Sequence, residues 1–308
     1  MGARIGVGLL GLGTVGGGVA EILLNPEERH PLVADLDLIR VAVRDVNRPR
    51  TVELADAVLT TDPSEVVNDP NVDVVVEVIG GIEPARSLIL QAIANGKSVV
   101  TANKAVIARH GPEIASAAKA AGVYVLIEAA VGGGIPIIEP LKQSLGGNRI
   151  NRVSGIINGT TNYILTRMAN EGAAYADVLA EAQRLGYAEA DPAADVDGLD
   201  AADKIAILSA LAFGGTVDRD ALPTTGISAL QGRDVEYARQ LGYGVKLLAV
   251  AERLAGQGDP LPLSLRVQPT LVPSDHPLAG VNGVNNAILV EGDPVSYTHL
   301  TLPTTEAV

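Results

Sequence analysis

Near the start of the chain an apolar run, Ile5-Gly6-Val7-Gly8-Leu9-Leu10, breaks into Gly11-Leu12-Gly13-Thr14-Val15-Gly16. It then becomes the helical pattern Val19-Ala20-Glu21-Ile22-Leu23-Leu24. Strand, tight turn and helix are the context a G-x-G-x-x-G dinucleotide fingerprint requires. One glycine makes the sharp turn, one lets the backbone approach a pyrophosphate, and one lets the helix pack close to the strand. The pyrophosphate then lies against the unpaired N–H groups at the positive end of the helix dipole. Gly11, Leu12, Gly13, Thr14, Val15 and Gly16 are therefore candidate cofactor-binding residues. A glycine-rich turn without a ligand carries the same glycines; the clear strand and helix on either side favour binding.

The pattern that follows alternates. After a polar excursion at 25–35 the spacing predicts a strand at 36–43 that ends in Arg44-Asp45. An acidic residue after the second strand of such a fold bonds the ribose hydroxyls, and a nearby arginine accommodates a 2′-phosphate. The distance from Gly11 to Asp45 exceeds the usual ~20 residues, and the excursion accounts for it. Arg44 leans the reading towards NADP or dual use, although an exposed charge pair at a strand end fits the same residues. A β-branched strand at 71–81, a helix at 84–94 and a short strand at 98–100 come next, delivering Thr101-Ala102-Asn103-Lys104. A helix at 105–121 and a strand at 123–127 complete the series. Such alternation predicts an α/β fold, a Rossmann-type doubly wound parallel sheet with right-handed crossovers. Glu128-Ala129-Ala130-Val131-Gly132-Gly133-Gly134-Ile135-Pro136 closes this domain, expected over 1–134. Its carboxylate and bare carbonyls suit a monovalent cation, but chemistry alone favours a hinge loop.

Beyond it the expectation is an α+β substrate and dimerisation domain over 135–294. A strand at 150–157 leads into Asn158-Gly159-Thr160-Thr161-Asn162, which reads as an ordinary turn and cap ahead of a helix starting at Tyr163. A second helix runs over 176–185 and stops at Gly186. Residues 186–204 then hold six carboxylates and one lysine. A helix predicted over 199–213 puts Asp200 and Lys204 at i and i+4, on one face. A calcium loop aligned on Asp195, Asp197 and Gly198 places Ala193 and Lys204 where ligands are needed, so that reading fails. Two readings stay open: a solvated helix start with one ion pair, and a site where carboxylates hold a cationic amine and Lys204 moves a proton.

Composition excludes much else. A net charge of −13 argues against nucleic acid and anionic membranes, which attract basic surfaces. With no cysteine, zinc–thiolate sites, disulfides and thiol nucleophiles are ruled out, in keeping with a reducing cytoplasmic setting. Met1-Gly2-Ala3-Arg4 running straight into a strand does not read as a signal peptide. No apolar run approaches the ~18 residues of a spanning helix. The four histidines, His30, His110, His276 and His299, are scattered and read as surface or structural residues.

Six motifs occur in order: GLGTVG at 11–16, TANKA at 101–105, EAAVGGGIPII at 128–138, GIINGTTNYIL at 155–165, GYAEADPAADVDGLDAADK at 186–204 and LGYGVKLLA at 241–249. Together they resemble the homoserine dehydrogenase family over residues 4 to about 295. The resemblance implies NAD- or NADP-dependent interconversion of L-homoserine and L-aspartate 4-semialdehyde, in threonine and methionine biosynthesis. It implies that Lys204 donates and accepts the proton and that Lys104 is a second lysine near nicotinamide and substrate. It implies that Glu189, Asp195 and Asp200 hold the substrate ammonium, and that Gly186 joins the cofactor-binding set. Glu128, Val131, Gly133 and Ile135 match the family's sodium site, which replaces the hinge reading of that loop, and the family dimerises through the second domain's sheet. After Asp293 the chain departs from the family pattern, and 295–308 reads as a non-native or disordered tail following a truncation. That departure keeps a rival open, an inactive or non-catalytic NAD(P)-binding protein. A Rossmann oxidoreductase acting on a sugar or another small metabolite is a second rival, but it leaves the carboxylate cluster without a purpose. A semialdehyde-oxidising dehydrogenase would need a cysteine nucleophile and is excluded.

Overall fold

The computed structural model describes residues 4–254, 262–293 and 298–302, the last by backbone alone. It divides into two compact units, Met1–Ala130 and Val131–Val308. In the first, β1 (Ile5–Leu10) leads into α1 (Thr14–Leu24), followed by β2 (Leu36–Ala42), β3 (Leu59–Thr60) and α2 (Pro63–Asn68). Then come β4 (Val74–Glu77), α3 (Ala85–Ala94), β5 (Ser98–Thr101), α4 (Lys104–Ala121) and β6 (Val125–Leu126). All six strands pair in parallel in the order β3-β2-β1-β4-β5-β6. The order reverses between β1 and β4, and ligands of such sheets bind at that point, beyond the strands' carboxyl ends. With one phenylalanine and no tryptophan in the chain, the cores are aliphatic. Leu9, Ala20 and Val41 are fully buried and tie α1 to the sheet, each larger side chain contributing about 1.5–3 kcal/mol.

The β-branched run predicted as a strand over 71–81 pairs only at Val74–Glu77. Asp69 turns the chain before it, its carboxylate accepting the Asn71 N–H at 2.9 Å. After it the Glu77 carboxylate accepts the Ile79 N–H at 3.0 Å, and Gly80 and Gly81 adopt positive φ. The predicted strand at 123–127 shortens to β6 for want of a further pairing partner among the described residues.

The second unit contains β7 (Ile150–Ile156), α5 (Gly159–Glu171), α6 (Tyr175–Leu185), α7 (Ala193–Val196), α8 (Leu199–Phe213) and α9 (Gly232–Gln240). β8 (Tyr243–Arg253), β9 (Leu263–Pro273), β10 (Asn286–Gly292) and β11 (Thr298–Leu302) follow. They form an antiparallel sheet in the order β11-β10-β7-β8-β9. Two expectations are corrected here. α5 starts at Gly159 rather than at Tyr163, because Asn158 is its N-cap and accepts the Thr161 N–H at 2.9 Å. Within the segment read as a non-native or disordered tail, Thr298–Leu302 pairs with β10 as a strand, which corrects the disorder for those residues alone; the rest of that tail lies outside the described residues. Two of the histidines cap short turns, His30 accepting the Leu32 N–H and His276 the Leu278 N–H.

Lys246 of β8 is buried beside three neutral oxygens. Its ammonium donates to Asn162 Oδ1 and Asn282 Oδ1, each at 3.1 Å, and to the Val281 carbonyl. Asn162 Nδ2 in turn donates to the carbonyls of Val281 and Asn285, so one lysine joins α5, β8 and the 281–285 loop. Burial pushes its pKa down from 10.5 to about 8. The native protein therefore releases this proton before the unfolded chain does. This group's contribution makes stability rise with pH from about 8 to 10.5, since the unfolded state binds more protons there. Below pH 8 both states are charged and the fold bears the burial cost in full. Lys246→Met removes the titrating group and is expected to abolish that rise. Urea denaturation of both proteins across pH 7–10 checks this; parallel pH profiles would refute it.

Candidate functional site

In the first unit a cavity of about 650 Å³ opens at the reversal of strand order. Gly11, Gly13 and Gly80 line one part of it, and Arg44, Arg48 and Arg50 another. The fingerprint geometry suits a bound dinucleotide. Gly11 has φ +103°, a conformation that favours glycine. A Cβ on Gly16 would stand 2.1 Å from the Gly11 carbonyl oxygen, so only glycine lets α1 approach the turn this closely. A Cβ on Gly13, the N-cap of α1, would meet nothing within 4 Å. Space is thus open where a pyrophosphate would lie against the helix start.

The loop after β2 gathers the cations. The Arg50 guanidinium donates to the carbonyls of Asp45, Val46 and Arg48, and Asp45 Oδ1 accepts the Asn47 N–H at 2.9 Å. The loop is folded around that one side chain, and Arg44 and Arg48 share its cavity. Arg48 and Arg50 escaped the sequence reading. The signal was the basic stretch just past the strand, but only the loop's curl brings it back to Arg44.

At the ends of β4 and β5, Glu77 is fully buried. Its carboxylate accepts from Thr101 Oγ1 at 2.7 Å, and the Asn103 N–H donates to Thr101 Oγ1 at 2.9 Å. The Asn103 amide donates to the Gly81 carbonyl, while its Oδ1 caps α4. Lys104 is the first residue of α4, so this network sets where its backbone stands. An acid within a β-branched parallel strand was the legible sign of such a network.

In the second unit Asp200 and Lys204 are both buried, which removes the reading of a solvated helix start. Lys204 Nζ lies 2.7 Å from Asp200 Oδ2 and donates to the Ile157 carbonyl at 2.8 Å. Asn158 Nδ2 donates to Asp195 Oδ1 at 2.7 Å and to Asp200 Oδ2 at 3.0 Å. The two residues that join β7 to α5, Ile157 and Asn158, thus hold this cluster. Burial, aided by the neighbouring Asp200 charge, pushes the Asp195 carboxyl above the usual carboxylate range. The other acids of 186–204 go elsewhere. Asp203 pairs with Arg219 at 2.5 Å, Asp191 caps Ala193 at 3.1 Å, and Asp197 accepts from Ser228 at 3.3 Å. Glu189 is exposed. Gly186 ends α6 with φ +81°, and the Tyr187 carbonyl beyond it accepts from Thr160 Oγ1 at 2.6 Å.

Glu128 belongs to a short turn at the end of the first unit, Glu128–Ala130. Val131, Gly133 and Ile135 lie in the second, where the Ile135 N–H donates to the Gly132 carbonyl at 3.0 Å. Among the described residues no group of three or more His, Cys, Asp or Glu side chains could hold a metal ion. No helix among them is long and apolar enough to cross a membrane.

A doubly wound dinucleotide-type sheet and an α+β unit with a lysine–carboxylate cluster define a two-domain chain with a Rossmann-type first unit. Family models described as the homoserine dehydrogenase NAD-binding domain and homoserine dehydrogenase match residues 11–128 and 136–305. The chain belongs to the homoserine dehydrogenase family. It is 62% identical over 289 residues to a homoserine dehydrogenase of Synechocystis, covering 94% of this chain and 66% of that one. A crystal structure of a homoserine dehydrogenase from Thiobacillus denitrificans superposes with a TM-score of 0.87 at 51% identity, covering 97% of this chain and 68% of that one. A hyperthermophilic archaeal homoserine dehydrogenase in complex with NADPH gives 0.79 at 28% identity, over 97% and 92% of the two chains. The chain thus spans about two thirds of the length of the Synechocystis relative.

Proposed function

We propose that this chain is an NAD(P)-dependent homoserine dehydrogenase that interconverts L-homoserine and L-aspartate 4-semialdehyde. The observation that carries the reading is Lys204, buried between Asp200 Oδ2 and the Ile157 carbonyl, with Asp195 joined to Asp200 through Asn158. A bound nicotinamide supplies or takes up the hydride. Lys204 protonates the alkoxide that develops on the substrate oxygen during reduction, and takes that proton back during oxidation. Asp195 and Asp200, with Glu189, receive the substrate ammonium. Such carboxylates select for a cationic amine, because leaving a buried charge unpaired costs several kcal/mol. Lys104 is the second lysine of the site. Gly11 to Gly16 and Gly186 hold the dinucleotide, and Arg44 takes a 2′-phosphate. Support for NADP comes from the three arginines sharing the cavity and from the NADPH named in the archaeal relative's complex.

We extend the reading to a sodium ion held by Glu128 and the carbonyls of Val131, Gly133 and Ile135, an oxygen-only donor set suited to a hard cation. We also propose a cytoplasmic homodimer formed through the second unit's sheet. Leu271 of the edge strand β9, 55% exposed, and Tyr243 of β8, 38% exposed, offer apolar surface for it.

Purified protein is expected to reduce NADP only when L-homoserine is added; cofactor binding without turnover would overturn the assignment. Arg44→Ala is expected to weaken NADPH binding by about tenfold, the loss of one charge-assisted contact, and to leave NADH affinity unchanged. Fluorescence titration with both cofactors checks this, and equal losses for the two would sink the 2′-phosphate role.

A further inference from the structure

The Asn158 amide gives both of its described hydrogen bonds to carboxylates. It donates to Asp195 Oδ1 and Asp200 Oδ2, and Asp200 Oδ2 is also the oxygen nearest the Lys204 ammonium. Its own Oδ1 accepts the Thr161 N–H and Oγ1, each at 2.9 Å, which locks the amide's orientation. Asn158 is 3% exposed. We infer that Asn158 is a positioning residue that binds Asp195 and Asp200 into one two-carboxylate receptor for the substrate ammonium and keeps Asp200 aligned on Lys204. This rests on the proposed function for its substrate.

Charge supplies the reason. Asp200 is buried and Asp195 half-buried; two such carboxylates beside one another repel, and one of them takes up a proton unless donors are shared between them. Lys204 compensates one charge. The groups acting on Asp195 are Asp200 and Lys204 from α8, together with the neutral side chains of Asn158 and Thr160 at the start of α5. Asn158 alone among these donates to both acids. The pair therefore keeps one net negative charge, which matches one ammonium.

The test separates capping from clamping. Serine caps a helix about as well as asparagine but has no amide. Asn158→Ser is expected to fold and to raise the KM for homoserine about tenfold or more, with the KM for NADP unchanged. Its kcat/KM acid limb should move up by about one pH unit, the size of one lost charge-assisted bond. The Asp195 carboxyl, followed by ¹³C NMR in the substrate-free protein, should shift upward by a similar amount. Wild-type KM, acid limb and carboxyl titration in that variant would overturn the role. A lower melting temperature with an unmoved carboxyl titration would reduce Asn158 to a cap. If Asn158→Ser fails to fold, the isosteric Asn158→Asp retains the cap acceptor and adds a third carboxylate, so the same upward carboxyl shift is required of it. Should the wild-type protein not oxidise homoserine, the functional assignment fails, while the carboxyl titration still decides the clamp.

Discussion

Lys204→Ala is expected to lower kcat for homoserine oxidation by about 10²–10⁴-fold, the usual worth of a positioned proton donor. Affinity for NADP should stay close to that of the wild type. Lys204 is buried and held between Asp200 Oδ2 and the Ile157 carbonyl, so its ammonium occupies one place before substrate arrives. The fingerprint glycines belong to the first unit and Lys204 to the second, so the substitution leaves the fingerprint turn itself untouched. Truncation also leaves Asp200 without its cation, so Lys204→Arg is the companion variant. Arginine keeps the charge but cannot give up a proton near neutral pH, and it too should fail to turn over. Steady-state kinetics, a cofactor titration and a thermal melt on both variants check this. An arginine variant with more than a tenth of wild-type kcat would remove the proton-transfer role.

The second large effect is at Gly16. Alanine there would place its Cβ 2.1 Å from the Gly11 carbonyl oxygen and 3.3 Å from the Val78 side chain. Neither the turn nor α1 can yield without moving the other, since Gly11 already holds φ +103° and Ala20 of α1 is fully buried. Overpacking of this kind costs about 3 kcal/mol or more when backbone must shift. The same shift displaces the N–H groups at the start of α1 from the open space beside Gly13. Gly16→Ala is therefore expected to weaken NADPH binding more than tenfold and to lower the first unit's melting temperature. Gly13→Ala, whose Cβ meets no protein atom within 4 Å, should leave stability nearly unchanged while still impairing cofactor affinity. Similar thermal losses for the two would contradict the packing argument.

Much of the first unit was legible because its signals are local. A parallel strand buried on both faces must be apolar, a fingerprint turn must be glycine, and a helix must be punctuated by caps and stops. The helix at 199–213 was readable to its ends for the same reason, since Gly198 and Gly214 bracket it. Strand lengths were less so. The apolar run at 71–81 continues past the point where its neighbours stop, and pairing sets the ends of a strand.

The site divides along the same line. Sequence alone determined the kinds of group present: a glycine turn, arginine past the second strand, and acids spaced around Lys204. Tertiary structure decided which of those acids matter to the cluster. Asp203 was taken by Arg219, Asp191 and Asp197 by nearby loops, and Asp195 and Asp200 are joined through Asn158. It also turned Asn158 from an ordinary cap into the link between them, and drew Arg48 and Arg50 into the cavity with Arg44. Spacing along a chain fixes neighbours within a helix or a turn, where a separation of three or four residues sets the geometry. A carboxylate's partner across forty residues is set by how sheet and helices pack, and that is a property of the whole domain.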